Sequence, residues 1–395
     1  MNKNCIILSN PKDTDYYINF IKKAEISNLD ILYDDFREVW NAKIVSDCEK
    51  KLINFKLKKL SSAYFFNKKY EILISTGDNP PLNFFYLIFI KLRLVKLYFF
   101  LERIIYKIDI KIRNLFKINH KEKKDFRQID YKIGKERYLF PRGYDLKPLY
   151  PGISRLQTFN NFLCHGDVDQ EIILANNNVK THIIGYPRYD VMFNKKELLQ
   201  SLKKEFDIKN DKKIIFWLPT YRSSKVENPD EGIDNWINQV KKLSDNFNVI
   251  VRPHPDRVSS YPHIVEKLKS IGLYVDLDTT RSLVKIYKIV DFIMCEVSGP
   301  FFSAIYNKCK ILILDHKNKK NIHHKLDSLI NKYLHYYKVD IDKKNYKDLE
   351  DYFFDIKFWN SQEEISKELF KILYGNNNIH NYKKLFKKTK LNFDQ

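Results

Sequence analysis

Glycine is scarce in this chain. Only 10 of 395 residues are glycine, so phosphate loops built on several adjacent glycines have almost nowhere to sit. Cysteine is nearly as rare. Cys5, Cys48, Cys164, Cys295 and Cys309 are odd in number and far apart. That spacing fits neither a zinc site nor a disulfide framework, and points to a reducing compartment. No uncharged apolar stretch reaches the roughly 20 residues of a spanning helix. The opening MNKNCIILSN holds only a short apolar run before Asn10-Pro11; it reads as a first strand and turn, not a secretory leader. HExxH, Cys-His clusters and paired aspartates are missing as well, so no metal and no cofactor is expected. Internal repeats and low-complexity linkers are also lacking.

What is present is apolar, aromatic and basic. Hydrophobic residues make up 44% and aromatics 15%, the composition of a globular protein long enough for two domains. The net charge of +21 favours anionic partners: nucleic acid, a membrane surface or phosphate-bearing substrates. The excess of Lys, Asn, Ile, Tyr and Phe runs the whole length, however, which weakens charge as a pointer to any one of them. The densest basic-aromatic stretch is 81–118, where eight Lys and Arg recur among apolar residues against only Glu102 and Asp109. It fits a helix lying in a membrane interface, lysines toward anionic headgroups. A buried helix with a basic rim, or two helices joined near Lys91, fits too. The expectation is peripheral attachment, without insertion.

Short β-rich runs punctuate the chain at 5–9, 30–34, 71–76, 137–140, 161–164 and 181–185. They recur at 213–218, 248–251, 273–277, 291–295 and 309–314. Alternation with helix-like segments predicts βαβ units and parallel sheets. The fold class is α/β: two doubly wound, Rossmann-like domains, 1–190 and 191–395, the second ending in helices and a Lys-rich tail.

In such sheets ligands gather where strands end. The residues following the runs from 137 onward are Pro141-Arg142-Gly143, His165-Gly166-Asp167, Gly185-Tyr186-Pro187-Arg188, Pro219-Thr220-Tyr221-Arg222, Arg252-Pro253-His254-Pro255 and Glu296-Val297-Ser298-Gly299. Arg, His or a hydroxyl beside Pro or Gly, six times over, is chemistry that holds phosphate. Arg clamps it, hydroxyls and helix N-terminal N–H groups donate to it, and His serves as acid or base. The plainer readings are a rigid turn histidine for His254, a surface ion pair for Arg222 and a helix cap for Ser298.

IIFWLPTYR, NVIVRPHPD and VDFIMCEVSGPFFSAIYNKCKILILD, in that order, resemble the C-terminal motifs of the CDP-glycerol glycerophosphotransferases, which polymerise teichoic acids and related phosphate-containing capsules. IIGYPRYD resembles the Gly-x-Pro-Arg-x-Asp segment joining their two domains. The resemblance implies a GT-B fold, with the two domains facing a cleft and the nucleotide held mainly by the second. It implies donor or phosphate contacts from Thr220, Arg222, Arg252, Glu296, Ser298 and Gly299, with His254 acting on the phosphates or the leaving group. Glu296 stands where the family usually has Asp, Gly299 replaces a second Ser, and Ser303 lies where an acidic residue is common. On the acceptor side, Arg142, Gly143 and Lys147 match a His-Gly-and-Lys segment with Arg142 in place of the histidine. His165, in the true His-Gly, is either the base or a solvent-facing histidine at a strand end.

The implied activity is transfer of a glycerophosphate or polyol phosphate from a nucleotide-diphospho donor to a cell-surface polymer or lipid-linked acceptor. The alternative is a nucleotide-sugar glycosyltransferase of capsule or lipopolysaccharide synthesis; a non-catalytic basic membrane- or nucleic-acid-binding protein comes third. The expected partners are therefore the donor, a membrane-associated acceptor and an anionic membrane surface, without nucleic acid. The expected location is cytoplasmic, on the inner face of the membrane.

Overall fold

A computed structural model describes residues 4–24, 29–36, 39–52, 55–77, 97, 101, 104, 129–141, 158–176, 179–190, 194–219, 231–278, 281–314, 324–339 and 348–375. The β-branched runs become strands because a parallel sheet is covered on both faces and accepts near-continuous apolar sequence. Seven strands form the first sheet: β1 (Asn4–Leu8), β2 (Leu29–Tyr33), β3 (Leu57–Lys59), β4 (Tyr70–Ser75), β5 (Gly134–Leu139), β6 (Asn161–Cys164) and β7 (Lys180–Ile183). Five form the second: β8 (Ile214–Leu218), β9 (Asn248–Val251), β10 (Tyr274–Val275), β11 (Phe292–Cys295) and β12 (Lys310–Ile313). All pairings are parallel, in the orders β3-β2-β1-β4-β5-β6-β7 and β10-β9-β8-β11-β12. The strand order therefore reverses between β1 and β4 in one sheet and between β8 and β11 in the other, the two places where a doubly wound sheet opens a crevice.

Alternate residues of each strand divide between clusters with the two-residue period of a pleat. Ile215, Trp217, Val249, Val251, Phe292 and Met294 enter one cluster, while Ile214, Phe216, Ile250, Ile293 and Cys295 enter another. That second cluster also takes Cys5, Ile7 and Leu73 from the first sheet, so one face of each sheet drains into a common core. The helix Ile356–Tyr374, the last described element, joins it. Capped by Asp355, whose carboxylate accepts the Phe358 N–H (2.9 Å), it packs on the helix Asp167–Asn176 of the first sheet.

Each of the eleven expected runs is a strand. The edge strand β3, only Leu-Lys-Lys, is an addition. Of the 81–118 stretch, only Leu97, Leu101 and Ile104 lie within the described residues.

Candidate functional site

The site is built on three neighbouring strand ends of the second sheet. β9, β8 and β11 lie side by side, so their exits fall within roughly 10 Å at the usual strand spacing. The backbone stays in register past the last paired residues: the Arg252 N–H donates to the Trp217 carbonyl (2.9 Å). This edge brings together Arg252, His254, Glu296, Ser298 and Gly299.

His254 is exposed. Its carbonyl accepts the N–H groups of Arg257 (2.9 Å) and Val258 (3.2 Å), so the backbone of the turn is fixed by the short helix Pro255–Ser260 while the imidazole meets solvent. Pro253, the residue before it, is buried. Arg257, the last residue of the RPHPDR run, is 1% exposed, a fully buried arginine that the sequence pattern did not single out.

Arg252 is held from one side. Its Nη1 donates to the Arg281 carbonyl (3.1 Å) and lies 3.6 Å from Asp276 Oδ2. Burial pulls the guanidinium below its usual range and Asp276 opposes that shift. Asp276, wholly buried, also accepts Arg281 Nε (3.0 Å), and Arg281 reaches on to Glu205 (Nη1 to Oε2, 2.5 Å). Glu205 raises the Arg281 pKa. The chain Arg252–Asp276–Arg281–Glu205 thus braces the arginine two residues before His254, and three of its four members escaped the sequence reading because they sit after a two-residue edge strand and at the end of a helix.

β11 runs out through Glu296, which is buried, and Ser298 into the helix Gly299–Tyr306. Ser298 has an extended backbone, and its hydroxyl donates to the Glu296 carbonyl (3.1 Å) rather than capping the helix. Gly299 is exposed, and a Cβ there would meet nothing within 4 Å. The first turn is accordingly open to a ligand, with Pro300 subtracting one N–H from it.

The far side of this helix is tied to the Gly-x-Pro-Arg-x-Asp segment. Ser303 is buried and hydrogen-bonds both Tyr186 and Tyr189, whose phenols are pushed up mainly by burial. Tyr306 donates to Asp190 (2.6 Å). Toward the first sheet, Asn19 donates to the Pro187 carbonyl (3.2 Å), and the Arg188 guanidinium lies over the Tyr16 ring at 4.1 Å. Gly185 adopts a φ of 69°, a conformation a Cβ would penalise. The segment staples the two sheets together, and the serine that replaces a common acid lets two tyrosines close over it.

His165 is not the solvent-facing histidine of the plainer reading. It ends β6, two strands beyond β4 and away from the first sheet's crevice, and it is 1% exposed. Asp169 accepts the His165 N–H (2.7 Å), meets its Nδ1 (3.1 Å) and accepts the Gly166 N–H (2.9 Å), a carboxylate reaching back to cap its own helix. Tyr186 packs edge-on at 4.5 Å and Tyr374 at 6.3 Å. Gly166 is required by contact: a Cβ would stand 2.1 Å from the Leu373 carbonyl oxygen. The crevice itself is bordered by Ser9 and Ser75-Thr76-Gly77, residues the motifs did not mark; the buried Thr76 hydroxyl has no hydrogen-bond partner among the described residues. Thr220, Arg222, Arg142, Gly143 and Lys147 lie outside the described residues.

Residues 159–308 match the model of the CDP-glycerol:poly(glycerophosphate) glycerophosphotransferase family. The resemblance read from the motifs is borne out over that span, which runs from the end preceding β6 to the close of the Gly299–Tyr306 helix. No curated protein matches the chain in sequence. Among solved structures, a variant of the wall teichoic acid polymerase TagF is similar at a TM-score of 0.56 and 14% identity, over 100% of this chain and 90% of that one. The UDP-GlcNAc 2-epimerase of Neisseria meningitidis bound to UDP-GlcNAc follows at 0.53 and 11%, over 99% of this chain and 100% of that one. MnaA of S. aureus with UDP stands at 0.52 and 13%, over 100% and 97%. These likenesses give the fold: two parallel-sheet domains of the GT-B class.

Proposed function

We propose that the chain transfers a glycerophosphate or related polyol phosphate from a nucleotide-diphospho donor to a hydroxyl on a cell-surface polymer or its lipid-linked precursor. The family match over 159–308 carries the reading, because that span holds the strand ends on which Arg252, His254, Ser298 and Gly299 stand. In the transfer the acceptor oxygen attacks the phosphorus bearing the polyol. A new P–O bond forms, the bond to the bridging oxygen breaks, and the nucleoside monophosphate leaves with the electron pair while the acceptor releases its proton. The open N-terminal turn at Gly299 suits the diphosphate. Arg252, held by Asp276, supplies positive charge, and His254 donates to the departing phosphate. Glu296, Thr220 and Arg222 belong to the same donor side, and Arg142, Gly143 and Lys147 to the acceptor side. His165 we assign to packing: its burial under Tyr186 and Tyr374 is poor access for an acceptor hydroxyl.

We also read the basic-aromatic stretch as a membrane-surface contact on the cytoplasmic face. Leu97, Leu101 and Ile104 have helical backbone and are 43%, 39% and 38% exposed. Their spacing puts them on one side of a helix, and an outward apolar stripe suits an interface better than a core. Among the described residues no helix is long and apolar enough to cross a membrane.

The epimerase likenesses, with UDP-sugar and UDP in those structures, keep a nucleotide-sugar donor as the second reading. Thermal unfolding with CDP, UDP, GDP and CMP separates the two. The largest upward shift is expected with CDP; preference for UDP or GDP moves the assignment to a glycosyltransferase, and no shift with any nucleotide overturns both.

A further inference from the structure

The end of the second sheet opposite the strand exits carries two adjoining hollows of about 550 Å³ each. One lies at the starts of β8, β11 and β12, among Lys195, Lys213 and Lys288. The other lies between the start of β12 and the helix Ile356–Tyr374, between Lys367 and Lys371. Lys308 and Lys310 wall both. All of these lysines are exposed except the half-buried Lys288. The carboxylates lining the same hollows are Asp291, which accepts the Ile214 N–H (2.8 Å), and Glu363, paired with Lys367 (2.8 Å). Charge of one sign is therefore in large excess. Burial lowers the Lys288 pKa; Cys309 and Asp190 oppose that shift, and Lys195 and Lys308 add to it.

Two details distinguish this tract from scattered surface lysine. Lys308 follows the C-cap Asn307 with a φ of 56°, the left-handed position where a helix normally ends in glycine. The chain thus sets a cation where a residue without a Cβ would be easier. Lys310 Nζ lies over Phe292 (5.7 Å) and Trp359 (5.5 Å), and Lys213 Nζ over Phe292 (5.8 Å). These ring contacts hold the ammonium groups over Phe292, which lines the first hollow, and Trp359, which lines the second.

We propose that the paired hollows form an exosite for the polyanionic chain itself, a phosphodiester-linked polyol polymer, on the back of the second domain. The assignment rests on the transferase reading above. Strands of four or five residues put the tract about 13–17 Å across the sheet from the donor edge, so it holds chain already made rather than the reacting unit. A linear polymer with a charge on every unit matches a lysine row running from one hollow into the next, where a single phosphate would engage only part of it.

The test is fluorescence anisotropy with end-labelled poly(glycerol phosphate), short and long, titrated against salt on the full chain. Wild type is expected to bind the long polymer far more tightly than inorganic phosphate. Lys308→Glu/Lys310→Glu/Lys367→Glu/Lys371→Glu should weaken that binding more than about tenfold and reduce the log–log salt slope by about 3, at about 0.7 per lost contact. Lys308→Gly, which suits the left-handed backbone, guards against misfolding: melting should stay level or rise while polymer affinity falls. Unchanged polymer affinity in both variants overturns the exosite. So does a DNA oligonucleotide of equal charge binding as tightly, or lysine-dependent binding confined to phosphatidylglycerol vesicles. Nucleotide protection on the same samples separates the failures. Variants that keep CDP protection and polymer affinity sink the exosite alone, whereas wild type with lysine-dependent polymer binding and no CDP protection sinks the donor assignment alone.

Discussion

His165 and His254 each end a buried parallel strand, and each is followed by a residue suited to a sharp turn, Gly166 or Pro255. The surroundings then diverge. Behind His165 stands Asp169, fixing both the backbone and the ring, and the helix Ile356–Tyr374 closes on this turn with the Leu373 carbonyl and Tyr374. Behind the His254 turn stands Asp276, which braces Arg252 and Arg281, while the imidazole stays exposed. A histidine at a strand end is thus either closed in, as His165 is by Tyr186 and Tyr374, or left exposed, as His254 is. Strand-end position alone therefore does not decide whether a histidine is presented; what packs over the exit does.

The sharpest way to break the comparison is His254→Ala. The exposed ring should contribute little to stability, within about 0.5 kcal/mol as for surface sites, yet turnover should fall about 10²–10⁴-fold, the usual weight of a positioned acid or base. Steady-state kinetics and a melting curve on one preparation check this. Normal turnover would return His254 to the role of a rigid turn residue.

Asp276→Ala probes the brace rather than the ring. Removing the carboxylate leaves two guanidinium groups without their buried partner, and such losses cost about 3–5 kcal/mol. Denaturant unfolding should show that loss, and Arg252 should cease to support donor binding in whatever fraction remains folded. An unaltered midpoint would mean that Glu205 and solvent hold Arg281 and Arg252 unaided.

Gly166→Ala tests the closed side. The new methyl would overlap the Leu373 carbonyl oxygen, main chain that cannot step aside without shifting a helix. About 1–3 kcal/mol of destabilisation is expected, the common cost of overpacking, with donor affinity preserved in the folded fraction. An undisturbed melting temperature would show that the helix Ile356–Tyr374 does not press on this turn in solution.

The strands were legible because β-branched runs bounded by Pro, Gly and Asn have few other uses, and their exits were legible because parallel sheets put function there. β3 was not, since three residues reading Leu-Lys-Lys carry no period. The burial of His165 was not legible either: Tyr186 stands at the variable position of the Gly-x-Pro-Arg-x-Asp segment, and Tyr374, remote in sequence, carries no motif, so neither announces that it covers the ring. The same holds for the brace on Arg252. Asp276, Arg281 and Glu205 meet only when the edge strand and the helix Lys195–Glu205 are folded together, and nothing in their local sequence announces an ion network. Motif residues gave the front of the site; the groups that orient them are defined by tertiary contact alone.

The smallest expected effect is on the open side, and it bears most directly on the donor. Gly299 begins the helix after β11 with a backbone that alanine can adopt and empty space where the Cβ would go. Gly299→Ala should therefore melt level with wild type or higher, by up to about 1 kcal/mol, since alanine is the better helix former. If the diphosphate rests on the first turn, that methyl stands in its path, and the donor KM should rise several-fold with kcat much less affected. Gly166→Ala should do the reverse, losing stability and keeping KM. A donor KM unmoved by Gly299→Ala would place the phosphates elsewhere along the edge, nearer Arg252 and the β8 exit, and would make the space at Gly299 a simple consequence of the Pro300 turn.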